Sequence, residues 1–176
     1  MGRRIAIIGT TGSGKTALAK RISKILSISV VELDALYWEP GWVEVEKSVF
    51  RSRTIKALSG DSWIVDGNYG ELRDITWGKA DTLVWLDYPL LMILGRLIPR
   101  CVKRAATGEL LWNGNRETWD NLFSRDSLIL FAINSYGKQR KNYPELIRKS
   151  EYSHLNVHRF KKEGETKAWL RSLKRE

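Results

Sequence analysis

Eight consecutive residues, Gly9-Thr10-Thr11-Gly12-Ser13-Gly14-Lys15-Thr16, have the types and spacing to hold a phosphate chain. They fit the P-loop pattern G-x-x-x-x-G-K-[ST]. Its glycines let the backbone turn tightly, so that successive N–H groups point at phosphate oxygens. The helix that follows adds the positive end of its dipole, with Ala17 in its first turn. Lys15 would reach the β- and γ-phosphates, and the Thr16 hydroxyl would ligate Mg²⁺. ATP and Mg²⁺ are the expected ligands.

Three aspartates end apolar runs. Asp87 closes Thr82-Leu83-Val84-Trp85-Leu86, where the second carboxylate of a P-loop site would hold Mg²⁺ directly or through water; the same residue could cap the helix starting at Pro89. Asp34 and Asp66 close neighbouring runs. A carboxylate there can orient or deprotonate an attacking hydroxyl, or order Mg²⁺-bound water, and aspartate is also common in turns. Arg96, Arg100 and Arg104 recur every fourth residue along one helical face. Such a row is either a solvated face or a set of guanidinium groups for the charge on a transferring phosphoryl group. Arg116 and Arg125 lie in a segment that could close over the site, and Arg140 is a weaker candidate. His154 and His158 have neither a third ligand nor a nucleophile nearby in sequence and read as structural.

These groups need a frame. Apolar runs at Arg4–Gly9, Ser29–Asp34, Trp63–Asp66, Thr82–Asp87 and Leu155–Phe160 read as strands. Helical patterns fall at Gly14–Leu26, Val45–Leu58 (with Val45, Val49 and Phe50 inward), after Pro89, at Ser127–Tyr143 and at Glu163–Leu173. Pro99 should kink or end the helix that starts at Pro89. The stretch Thr107–Arg125, with its Trp112-Asn113-Gly114-Asn115 turn, reads as a mobile flap. Alternating strands and helices predict an α/β fold, a three-layer, doubly wound, parallel five-stranded sheet. Ligands gather at the carboxyl ends of such strands, where Gly9, Asp34, Asp66 and Asp87 fall. One domain is expected over 1–176, with a core of 1–100 and 127–176 and a lid at about 101–126.

With 176 residues the chain can bury a real core. Its formal net charge of +10 favours polyanionic partners: nucleotides, phosphorylated molecules or nucleic acid. Lys138, Arg140, Lys141, Lys161, Lys162, Arg171, Lys174 and Arg175 could form a basic patch, but no helix-turn-helix, zinc or RNA-binding motif accompanies them. The eight tryptophans could stack on bases or fill a core. The single cysteine, Cys101, cannot make an intrachain disulfide. The longest apolar stretch, Leu90–Ile98, is interrupted by Arg96 and is too short to span a bilayer. A soluble cytoplasmic protein, monomeric or homodimeric, is the default expectation.

The stretch Leu86–Arg100 resembles the adenylate kinases, in which Asp-x-Pro precedes two arginines four residues apart. That resemblance implies that Arg96 packs on the ATP adenine and Arg100 meets its phosphates. Trp63-Ile64-Val65-Asp66-Gly67 is similar to the strand before their monophosphate site, and Arg125-Asp126 to the arginine leaving the lid. The continuation Asn68-Tyr69-Gly70 departs from that family, so AMP is not implied as acceptor. Asp34 is closer to the shikimate and gluconate kinase arrangement, where that carboxylate meets the acceptor hydroxyl. Over the whole chain, Leu33-Asp34-Ala35-Leu36-Tyr37-Trp38, Pro40-Gly41-Trp42 and Trp63–Tyr69 look like the signature of bacterial adenylate-kinase-related proteins often labelled DNA topology modulation proteins.

Together these readings imply a nucleoside-monophosphate-kinase type of P-loop fold that moves the γ-phosphoryl group of Mg-ATP to a small acceptor. The acceptor would sit among Asp34, Trp38, Trp42, Asp66, Gly67, Asn68 and Tyr69, and a nucleoside or nucleotide base would suit the tryptophans. Lys15, Asp34, Arg100, Arg116 and Arg125 are the catalytic candidates. Gly9–Ala17, Arg96 and Arg100 are the nucleotide-binding ones, and Thr16 and Asp87 those for metal. The alternatives are a nucleic-acid-associated ATP-binding protein and a nucleotide sensor without turnover.

Overall fold

The computed structural model describes residues 2–124 and 127–173. Five strands, β1 (Arg4–Gly9), β2 (Val30–Glu32), β5 (Trp63–Asp66), β6 (Thr82–Leu86) and β7 (Asn156–Phe160), form one sheet in the order β2-β5-β1-β6-β7. Every pairing is parallel. A parallel sheet covered on both faces calls for uninterrupted apolar strands, and β5 and β6 are buried at every position. Alternate side chains then feed two cores. Ile5 and Ile7 pack with Leu18, Ile22, Leu170 and Leu173 on one face. Ala6 and Ile8 pack with Leu33, Phe50, Trp63 and Trp85 on the other. The three-layer, doubly wound α/β architecture is the one expected.

Helices α1 (Lys15–Leu26) and α8 (Glu163–Leu173) contribute to the first core. Helix α3 (Lys47–Ala57) and the short α4 (Arg73–Thr76) contribute to the second. Leu33 and Asp34, expected to end strand two, instead begin a short helix, α2 (Leu33–Tyr37), so Asp34 stands in a helical first turn. A small hairpin of β3 (Trp38–Glu39) and β4 (Val43–Glu44) follows. Phe50 is fully buried, but Val49 is 39% exposed, against the expectation that both face inward. Three tryptophans, Trp63, Trp77 and Trp85, fill the second core.

Helix α5 (Leu90–Thr107) does not end at Pro99 but continues past it. A proline ring crowds the carbonyl four residues earlier; here that residue is the exposed Gly95, which has open space around it. The segment from Gly108 leads through α6 (Trp119–Phe123) toward α7 (Leu128–Ile147). Among the described residues, no helix is long and apolar enough to cross a membrane.

Candidate active site

The pairing register brings the parts together. Ile7 of β1 lies beside Asp66 at the end of β5, and Gly9 lies beside Leu86 at the end of β6. The phosphate-binding loop leaves from between those strand ends, at the switch point of the sheet. Its glycines are required by the geometry. Gly9 has φ of 145°, and a Cβ there would lie 2.7 Å from the Leu86 carbonyl and 2.9 Å from Ser13 Oγ. Gly14 caps α1 in the left-handed region, with φ of 96° and no side-chain cap. The first N–H groups of α1 are thus left facing the loop.

The Ser13 N–H closes the loop onto the Thr10 carbonyl at 3.0 Å. Thr10 is buried, Thr11 and Gly12 form the intervening turn, and Ala17 is exposed in the first turn of α1. Lys15 Nζ folds back to donate to the carbonyls of Gly9 (2.8 Å) and Thr10 (3.3 Å). Desolvation lowers the Lys15 pKa, the carboxylates of Asp66 and Asp34 oppose that fall, and Arg100 adds to it. Lys15, Asp66, Asp34 and Arg100 therefore share one electrostatic neighbourhood.

Asp66 is buried, and its Oδ2 accepts from the Thr16 hydroxyl at 2.5 Å. Burial raises its pKa, partly countered by Lys15 and Thr16. Three buried polar atoms here have no hydrogen-bond partner: Asp66 Oδ1, Ser13 Oγ and Arg100 Nε. Unpartnered buried groups are costly, and beside a phosphate-binding loop they fit a phosphate anion and its cation. Arg96 reaches the Ser13 carbonyl at 3.2 Å, is braced by Glu163 at 2.9 Å, and lies 5.4 Å over the Tyr88 ring.

On the other flank, the Tyr69 hydroxyl donates to Asp34 Oδ1 at 2.7 Å. Tyr69 packs 4.8 Å from Tyr37, which lies 4.9 Å from Trp38, and Trp38 lies 5.5 Å from Trp42. Gly67 has φ of 151°, and a Cβ there would strike Leu33. Asn68, expected to touch an acceptor, instead spends its amide on the loop: Oδ1 accepts from the Gly9 N–H and Nδ2 donates to the Gly9 carbonyl.

Asp87, expected at Mg²⁺, commits both carboxylate oxygens to guanidinium groups. Arg140 Nε lies 2.9 Å from Oδ1, and Arg159 Nη2 lies 2.6 Å from Oδ2. It thereby ties α7 and β7 to the end of β6. The carboxylate beside Thr16 is Asp66.

The flap is docked. Trp112 Nε1 donates to Glu32 at 2.9 Å, and Asn113 Nδ2 donates to the carbonyls of Trp38 and Ala35. Buried Asn115 donates to the Glu39 carbonyl and accepts from the Trp42 N–H, while Trp42 Nε1 donates to the Arg116 carbonyl. Arg104 holds the other side of the strap through Glu117 at 2.9 Å. The Arg116 guanidinium lies beside Gly108, at the end of α5. Arg125 lies outside the described residues. Sequence reasoning missed Gln139, whose Oε1 accepts from the Thr10 hydroxyl across 129 positions, and Glu163 behind Arg96. No local signal marks either.

The chain superposes along nearly its whole length on solved kinases. A shikimate kinase from Acinetobacter baumannii in complex with shikimate matches at TM-score 0.57 and 13% identity, over 98% of this chain and 91% of that one. The fold is that of the P-loop kinases. A gluconokinase from Sinorhizobium meliloti 1021 matches at TM-score 0.53 and 16% identity, over 99% and 96%. A deoxyadenosine kinase from M. mycoides with products dCMP and dCDP bound matches at 0.51 and 15%, over 98% and 99%. No protein-family model and no curated protein matches the chain. None of these three structures is a DNA topology modulation protein.

Proposed function

We propose that the protein is a small-molecule phosphotransferase that moves the γ-phosphoryl group of ATP to an acceptor hydroxyl. The observation that carries this reading is Lys15 folded over the phosphate-loop carbonyls with the Thr16 hydroxyl on buried Asp66, beside the unpartnered Arg100 Nε and Ser13 Oγ. The kinase fold of the solved structures supports it.

The first N–H groups of α1 and those loop N–H groups not already given to Asn68 or to the Thr10 carbonyl hold the phosphates. Lys15 exchanges its two loop carbonyls for phosphate oxygens, and Arg96 and Arg100 neutralise the same chain from α5. Thr16 and Asp66 would hold Mg²⁺, with Asp66 in the role first expected of Asp87. The metal, when bound, supplies charge neutralisation on the phosphoryl oxygens. Asp34, fixed by Tyr69, accepts the hydrogen bond of the acceptor hydroxyl and orients its oxygen for in-line attack; the proton goes to Asp34 or to solvent. Trp38 and Trp42 wall the acceptor side. Arg116, and Arg125 outside the described residues, would add positive charge to the same phosphates.

The test is release of ADP from Mg-ATP across a panel of hydroxylated small molecules, with Lys15→Met as blank. An acceptor-dependent rate that Lys15→Met lowers by at least about 100-fold is expected. Equal rates in both proteins would remove the assignment.

A further inference from the structure

We propose that Asn68 is a positioning residue for phosphoryl transfer: together with Tyr69 it holds the phosphate loop and the acceptor-side carboxylate at a fixed spacing. This rests on the phosphotransferase reading.

Gly67, Asn68 and Tyr69 grip both halves of the site. Gly67 leaves the end of β5 so close to Leu33 that a Cβ would lie 2.9 Å from that side chain. Leu33 is buried and immediately precedes Asp34. Asn68 meets Gly9 with both ends of its amide: Oδ1 accepts from the Gly9 N–H at 3.1 Å, and Nδ2 donates to the Gly9 carbonyl at 2.5 Å. The Tyr69 hydroxyl donates to Asp34 Oδ1 at 2.7 Å, and its ring lies 4.8 Å from those of both Tyr37 and Phe50. The mouth of the phosphate loop and the acceptor-side carboxylate are thus held by adjacent residues of one short, packed segment.

Two hydrogen bonds from one planar amide fix orientation as well as distance. The Gly9 carbonyl also accepts from Lys15 Nζ at 2.8 Å. Gly9 is buried, and an unpaired carbonyl there would be costly. When Lys15 turns to a phosphate, Asn68 keeps that carbonyl paired, so the loop holds its place while the lysine moves. In-line transfer depends on this, because a misplacement of about 1 Å can lower the rate by about 100-fold. An oxygen oriented by Asp34 and a phosphate chain held by the loop meet correctly only while Asp34 and Gly9 keep their spacing. Asn68 acts through Gly9 and not on the reacting atoms.

The test compares the whole chain with its Asn68→Ala variant, with Mg²⁺ throughout. Calorimetry gives the Kd for a non-hydrolysable ATP analogue. ADP release from Mg-ATP gives kcat with whichever nucleoside, polyol or hydroxy acid supports the fastest turnover. Asn68→Ala should lower kcat by about 10- to 100-fold while that Kd changes by less than about threefold. An unchanged kcat, or equal losses in both quantities, would overturn the proposal, because Asn68 would then serve only the fold or the nucleotide. A second arm needs no acceptor. Tyr69→Phe removes the bond to Asp34 and leaves the loop untouched, yet through the shared segment it should speed hydrogen exchange of the Gly9 amide, read by NMR, by about threefold or more. In the Asn68→Ala background it should have no such effect. A Gly9 amide indifferent to Tyr69→Phe would overturn the proposal. No turnover with any compound, with the Gly9 amide still responsive, would instead break the phosphotransferase reading and leave the link between loop and carboxylate standing.

Discussion

Strands β5 and β6 flank β1, and each apolar run leads to an aspartate at the same end of the sheet, yet the two carboxylates live differently. Asp66 is buried with one oxygen on the Thr16 hydroxyl and the other unpartnered. Asp87 is buried with both oxygens gripped by Arg140 and Arg159. Arg159 also covers Trp85, with its guanidinium 4.0 Å from the ring centroid. One strand end is left unsatisfied beside the phosphate loop, and the other is fully paired and joins three elements. Unsatisfied burial is the mark of a site that receives something; complete pairing is the mark of a brace.

The largest way to break that contrast is to neutralise Asp66. Asp66→Asn should raise the Mg²⁺ concentration needed for half-maximal ADP release by about 10–100-fold. Asp87→Asn should leave that requirement unchanged. If the two variants exchanged these phenotypes, the metal-side carboxylate would be Asp87, as its place after β6 first implied.

A smaller effect sharpens the other half. Asp87→Asn removes the charge that two guanidinium groups share, and should lower unfolding stability by about 1–3 kcal/mol, the guanidiniums being able to reach water. Urea denaturation with an unchanged slope would read it directly. A loss below about 0.3 kcal/mol would mean that the pairing contributes no net stability.

What was legible in the sequence follows the range of the interactions. The phosphate loop is contiguous, so its order of strand, turn and helix could be read from one short stretch of chain. The sheet was legible because each strand is an apolar run bounded by turn residues. The contrast between Asp66 and Asp87 was not. Asp87 receives Arg140 and Arg159 from 53 and 72 positions away, and nothing near Asp87 announces them. The pairing of Asn68 was hidden for a related reason: its amide meets Gly9 across 59 positions. The flap was read as mobile because its periodicity is weak. It is instead held by individual polar side chains, Trp112, Asn113 and Asn115, which leave no periodic trace.

The finest test separates charge from shape at Asp66. Burial raises its folded pKa above the ordinary carboxylate value of 3.8, so the folded state favours the protonated form. The corresponding stability is fully present below the ordinary value and is lost as pH rises through the raised folded one, because in that window the folded chain binds more protons than the unfolded chain. The amide introduced by Asp66→Asn has no such titration, so the stability of that variant relative to the wild type should shift in the variant's favour across that window and level off above it. Thermal midpoints of the two proteins measured from acid to neutral pH give the difference directly. A constant offset would mean that Asp66 matters as the acceptor for Thr16 and not as a buried charge. A shift of the opposite sign would mean that Lys15 and Thr16 outweigh desolvation, so that the end of β5 holds its carboxylate as comfortably as the brace on β6 does.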